Sequence, residues 1–166
     1  MRNKQFIFPD EEAFKFVKSE FKKRGITYQE IAEIAYKLQK SFIPNAKIPE
    51  YKEAVIKILH KREVLNSAMV ALELDRLATE KKLKQPLQKI IENDAAVFGV
   101  DEAIAESIAN IYGTIGITNF GYLDRVKHGI IKKLDTEKKG KVNTFVDDLI
   151  GALASAVAAK MAHRYA

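Results

Sequence analysis

Along most of the chain, apolar residues return every three or four positions, the spacing of helices that bury one face, and no segment alternates as a strand does. Asp10-Glu11-Glu12 after Pro9 opens a first helix, with Phe14, Val17 and Phe21 on one face and Gly25 at its end. Thr27-Tyr28-Gln29-Glu30 has the form of a capping box, and Ile31, Ile34, Ala35 and Leu38 follow it as an apolar stripe. After a loop around Pro44 and Asn45, a third helix starts near Pro49 and carries Tyr51, Val55, Ile58 and Leu59. A fourth spans about Arg62 to Leu83, either separate or continuing the third through a kink. Pro86 suits the first turn of a short helix ending near Glu92. Asp101 to Tyr112 reads as another, with Ile104, Ile108 and Ile111 buried.

Glycines then interrupt the pattern. Between Gly113 and Gly140 it predicts one helix near Phe120–Arg125, and Tyr112-Gly113-Thr114-Ile115-Gly116 reads as a helix stop with a tight turn rather than a phosphate cradle. The last helix, Asn143 to about Arg164, carries no charge between Asp148 and Lys160. Its run of Gly, Ala and Ser lets neighbours approach closely, which predicts a central position. The expected fold is all-α: a single compact domain over residues 1–166 with about seven or eight helices, an N-terminal helical part to about 85 and a second part from about 86.

Composition narrows the class. Apolar residues make up 47% and charged residues 30% of 166, a globular balance. The absence of cysteine excludes disulfides and thiolate metal sites and suits a reducing cytoplasm. Phe6–Phe8 is too short for a signal-peptide core, and Leu149–Ala159 falls short of the ~20 residues that cross a bilayer, so a soluble, cytoplasmic protein is expected. A net charge of +6 raises nucleic acid or anionic lipid as a partner. The lysines, however, come in small groups such as Lys81-Lys82 and Lys132-Lys133 near helix ends, where the dipole favours cations, and this weighs against nucleic acid.

The acids of the C-terminal half fall at breaks in the pattern: Asp94, Asp101-Glu102, Asp124 and Asp147-Asp148. Two readings stand. In one, they serve helix ends: Thr144-Phe145-Val146-Asp147 matches a capping box, and Asp148 gains roughly 0.3–1 kcal/mol from the first-turn dipole. In the other, four short segments converge on a hard cation such as Mg²⁺, which takes oxygen ligands, with Lys127 near Asp124 supplying positive charge for phosphoryl transfer. Other chemistry is absent: there is no P-loop or G-x-G-x-x-G run, His60, His128 and His163 lack paired spacing, and Val146 stands where an EF-hand counted from Asp135 needs its glutamate.

Three segments, in order, resemble the phosphatidylglycerophosphatase A family: NDAAVFGVDE (Asn93–Glu102), FGYLDRVKHGIIKKLD (Phe120–Asp135) and GKVNTFVDDLIGALASA (Gly140–Ala156). The resemblance implies Mg²⁺-dependent removal of the terminal phosphate of phosphatidylglycerophosphate, or of a soluble phosphomonoester, with Mn²⁺ as a substitute ion and contact at a membrane surface. It implies an acidic site drawn from Asp94, Asp101, Glu102, Asp124, Asp147 and Asp148, the metal on Asp101, Asp124, Asp147 and Asp148, and Lys127 on the phosphate. Asp135 matches as well, beside Lys132 and Lys133. The chain departs from the family pattern at Gly121, where arginine is usual, and at His128, where proline is usual. Its N-terminal half also lacks the family's membrane-spanning character. The alternative from another class is a non-catalytic helical domain that binds a partner or self-associates through its small-residue last helix.

Overall fold

A computed structural model describes residues 6–166. Helix α9 (Val146–Arg164) lies at its centre: every residue from Val146 to Ala159 is buried. A helix of small and aliphatic residues with no polar face has nowhere stable to go but inside. Around it pack α2 (Tyr28–Gln39), α3 (Ile48–Leu59), α6 (Val100–Ala109), α7 (Thr114–Val126) and α8 (Ile130–Thr136), with a lesser contact from α4 (Arg62–Thr79). The outer α1 (Asp10–Lys23) rests on α4, and the short α5 (Leu87–Glu92) also joins α4. The described residues are all-helical, with nine α-helices and one 3₁₀ turn, and one apolar cluster runs from Ala13 to Met161. Because α9 is enclosed by its own chain, its small-residue face is not free to pair with a second copy.

Local signals hold where their partners are close in sequence. The capping box of α2 forms, with the Thr27 hydroxyl accepting the Glu30 N–H and Glu30 accepting the Thr27 N–H. α3 and α4 are separate helices divided at His60-Lys61 rather than one kinked rod. α4 stops at Thr79, four residues before the expected end, because Lys81 takes a left-handed conformation. Its N–H and that of Lys82 then close back on Ala78 and Leu77, a Schellman ending.

The glycine-broken stretch holds two helices where one short one is expected. Gly116 sits inside α7, and a Cβ there would lie 1.9 Å from the Ala109 carbonyl oxygen. Glycine serves there to let α7 approach the end of α6, not to make a turn. α8 buries Ile130, Ile131 and Leu134 beneath a lysine-rich exterior. The last helix begins at Val146, three residues later than expected, and Thr144 does not cap it. The Thr144 hydroxyl instead donates to the Ile91 carbonyl at 2.6 Å.

Candidate metal centre

Three helix ends meet at the acids. Asp101 and Glu102 occupy the first turn of α6, which starts after Gly99 in the left-handed region at φ 70°. Asp147 and Asp148 occupy the first turn of α9. Asp124 lies in the last turn of α7, and Lys127, left-handed at φ 49°, ends that helix. Two first turns with positive dipole ends thus bring their acids together, with the lysine beside the α9 pair, a setting that favours anions.

The acids divide into two groups. The Lys127 ammonium donates to Asp124 Oδ1 at 2.9 Å and Asp147 Oδ2 at 3.0 Å, and lies 3.6 Å from Asp148 Oδ1. Asp101, Glu102 and Asp148 each offer an oxygen, all within 4.8 Å of one another. Oxygens on an octahedral Mg²⁺ at about 2.1 Å stand about 3 Å apart when adjacent and about 4 Å apart when opposite, so the trio needs only a small contraction to hold one. Asp101 Oδ1 is buried and has no hydrogen-bond partner, as an unfilled ligand position would be. The donor set fits a hard divalent cation.

Asp94 stands apart from both groups. It takes the left-handed position after α5 (φ 49°), where its N–H and that of Ala95 return to Ile91 and Ile90, and its carboxylate lies 3.9 Å from Lys138. Aspartate is one of the few non-glycine residues at ease there. Its charge still reaches Asp147, as does that of Asp135, which makes no ion pair within 4 Å among the described residues.

The electrostatics show too much negative charge for one lysine. Burial, then the charge of Asp147, pushes Asp148 up to about 8. Burial, then the neighbouring Glu102 carboxyl, pushes Asp101 up to about 7. Burial also lifts Asp147, to about 6, against the pull of Lys127. Burial opposes the charged form of Lys127, but Asp147, Asp124 and Asp148 outweigh it and raise its pKa. The ammonium stays charged, yet it compensates only part of the cluster. The remaining carboxyls must bind protons or a cation.

One contributor carries no signal in its own neighbourhood. Asp75, on α4 and wholly buried, accepts the Phe145 N–H at 3.1 Å on each oxygen and the Val146 N–H at 2.9 Å. It supplies the N-terminal cap that Thr144 does not, from 70 residues away. Burial pushes its carboxyl up to about 8, against those two backbone donors. No spacing rule links residues so far apart; the hint is an aspartate on the buried face of an Ala/Leu helix.

The phosphatidylglycerophosphatase A family model matches residues 19–163, which include every acid of the candidate site, and the chain belongs to that family. Two curated relatives come from Bacillus subtilis (strain 168). The uncharacterised protein YutG is 45% identical over 147 residues, 89% of each chain, and the uncharacterised protein YpjQ is 47% identical over 143 residues, 86% of this chain and 80% of its own. The crystal structure of ypjQ superposes with a TM-score of 0.89 at 44% identity, covering 95% of this chain and 98% of that one. The low temperature requirement C protein of Listeria monocytogenes gives 0.88 at 41% identity, covering 92% and 96%.

Proposed function

We infer that the chain, as a member of the phosphatidylglycerophosphatase A family, is a Mg²⁺-dependent phosphomonoester hydrolase acting on phosphatidylglycerophosphate or a soluble analogue. The observation that carries this reading is the trio Asp101, Glu102 and Asp148 beside Lys127, four charged groups drawn from three helix ends. Asp101, Glu102 and Asp148 would hold the ion, with Mn²⁺ as a substitute. When bound, the ion neutralises phosphoryl oxygens and favours attack at phosphorus.

The chain's own groups supply the rest. Lys127 has three N–H donors, of which Asp124 and Asp147 take two, leaving one for a phosphoryl oxygen. Asp124 and Asp147 fix the ammonium between them, so it meets developing negative charge without reorganising. A carboxylate of this pair takes a proton from the attacking water as the new P–O bond forms. The ester P–O bond breaks and the leaving alkoxide takes that same proton back from the carboxylic acid, giving alcohol and inorganic phosphate and restoring the carboxylate. Among the described residues no helix is long and apolar enough to cross a membrane, so a lipid substrate is met at the bilayer surface.

The test is phosphate release from phosphatidylglycerophosphate in mixed micelles and from water-soluble phosphomonoesters, with Mg²⁺ and with EDTA. Release that needs Mg²⁺ and falls at least 100-fold in Asp148→Asn and Lys127→Met supports the reading. No release from any substrate, or release indifferent to EDTA, sinks it.

A further inference from the structure

The segment Lys141–Val146 leads into the first turn of α9, and nearly every residue of it is tied to a different element. The Lys141 ammonium donates to the Lys23 carbonyl, the Val142 N–H to the Thr79 hydroxyl, the Asn143 amide to Leu134 and the Thr144 hydroxyl to Ile91. The last and most buried tie is to Asp75, whose two oxygens take the N–H groups of Phe145 and Val146. Phe145, the residue at the cap position, offers no side-chain acceptor, and α9 is too deeply enclosed for water to serve its first N–H groups.

We propose that Asp75 is a positioning residue for the cation site: by holding the N–H groups of Phe145 and Val146 it fixes the first turn of α9 and so aims Asp148 at Asp101 and Glu102. The proposal rests on the reading of that trio as a cation site. Asp75 touches neither cation nor substrate and acts through the backbone two residues before Asp147. A serine, threonine or asparagine at position 144 or 145 caps a helix without burying a carboxyl group. A carboxylate from another helix does something a local cap does not, since it ties the rotation of the turn to α4 rather than to its own loop. A carboxylate oxygen lies about 5–6 Å from its helix axis, so rotating the turn by about 20° moves that oxygen about 2 Å. That shift is as large as a Mg²⁺–oxygen distance, about 2.1 Å, and carries Asp148 out of the trio. First turns are also where helices fray.

Mn²⁺ binding followed by electron spin resonance tests this on the native chain, Asp75→Asn and Asp135→Asn. Asp135 is the control for charge alone, because it acts electrostatically on Asp147 but holds no N–H of α9. The expected result is a dissociation constant at least tenfold higher in Asp75→Asn and changed less than threefold in Asp135→Asn. Faster amide exchange is expected at Leu149, whose N–H bonds the Phe145 carbonyl, with the middle of α9 still protected. Equal losses in the two variants, or native affinity in Asp75→Asn, overturn the positioning role while leaving the cation site standing. A native chain that binds no Mn²⁺ overturns the cation reading and the proposal with it. If Asp75→Asn does not fold, Asp75→Ser, which keeps one acceptor oxygen, is judged by the same criteria.

Discussion

Replacing Asp148 by asparagine keeps the shape of the side chain and removes a carboxyl that the metal-free fold accommodates only by protonating it at a loss. Asp148 is 5% exposed, and burial followed by the charge of Asp147 lifts its pKa from 3.8 to about 8. The folded chain therefore binds this proton more tightly than the unfolded chain does. The associated stability is fully present below about pH 4 and is lost as pH rises to about 8. At pH 7, about 3 units above the unfolded pKa, the folded chain keeps this carboxyl largely protonated, and at ~1.36 kcal/mol per unit that costs about 4 kcal/mol. Asp101 and Asp147 share the same protons, which lowers the gain in the variant to about 2 kcal/mol. An acid serving only as a first-turn charge contributes about 0.3–1 kcal/mol in the opposite direction, so the two readings differ in sign. Urea unfolding at pH 7 in EDTA, followed by circular dichroism, is expected to give a higher midpoint for Asp148→Asn than for the native chain. Adding Mg²⁺ should reverse the order, because only the native chain gains from it. A lower midpoint for the variant in EDTA refutes the excess-charge argument and returns Asp148 to helix capping.

Metal alone at 100 times its dissociation constant should stabilise the native chain by about 2.7 kcal/mol, and a thermal scan showing no shift with Mg²⁺, Mn²⁺ or either ion plus phosphate counts against the site. In EDTA the native chain should lose stability steadily from about pH 4 to about pH 8, following Asp147, Asp101 and Asp148, and a rise over that window contradicts the raised carboxyls. Lys127→Met strips the cluster of its ammonium and should cost about 3 kcal/mol at pH 8 but far less at pH 4, where Asp147 and Asp148 are protonated; equal losses at both pH values oppose this. Gly121→Ala, where a Cβ meets nothing within 4 Å, should raise stability by up to about 1 kcal/mol, whereas Gly116→Ala should lower it because its Cβ meets the Ala109 carbonyl oxygen.

What the sequence discloses follows from how far each cause lies from its effect. The start of α2 is legible because both halves of its capping box lie within four residues. The burial of α9 is legible because no face of it is polar. The start of α9 is not legible, since Thr144 looks like a cap while its hydroxyl goes to Ile91 and Asp75 does the capping. α7 is misread because a glycine needed for close approach has the same letter as one needed for a turn. At the site, the acids are named by their clustering at breaks, but spacing cannot say which oxygens share a place. That division depends on Lys127, whose left-handed backbone ends α7 and lays its ammonium between Asp124 and Asp147.

The tethers of residues 141–146 also set an order of events in folding. Their sequence separations are 118, 63, 9, 53 and 70 residues, so most close only after distant parts of the chain have docked. Contacts of such long range form late, after local helices have paid their ordering entropy. The first turn of α9 is then among the last pieces to settle, although the helix behind it is the centre of the core. A nascent or partly unfolded chain has the acids but not their arrangement. Ion binding thus reports on a finished fold, and a refolding experiment should recover helix content before it recovers affinity for Mn²⁺.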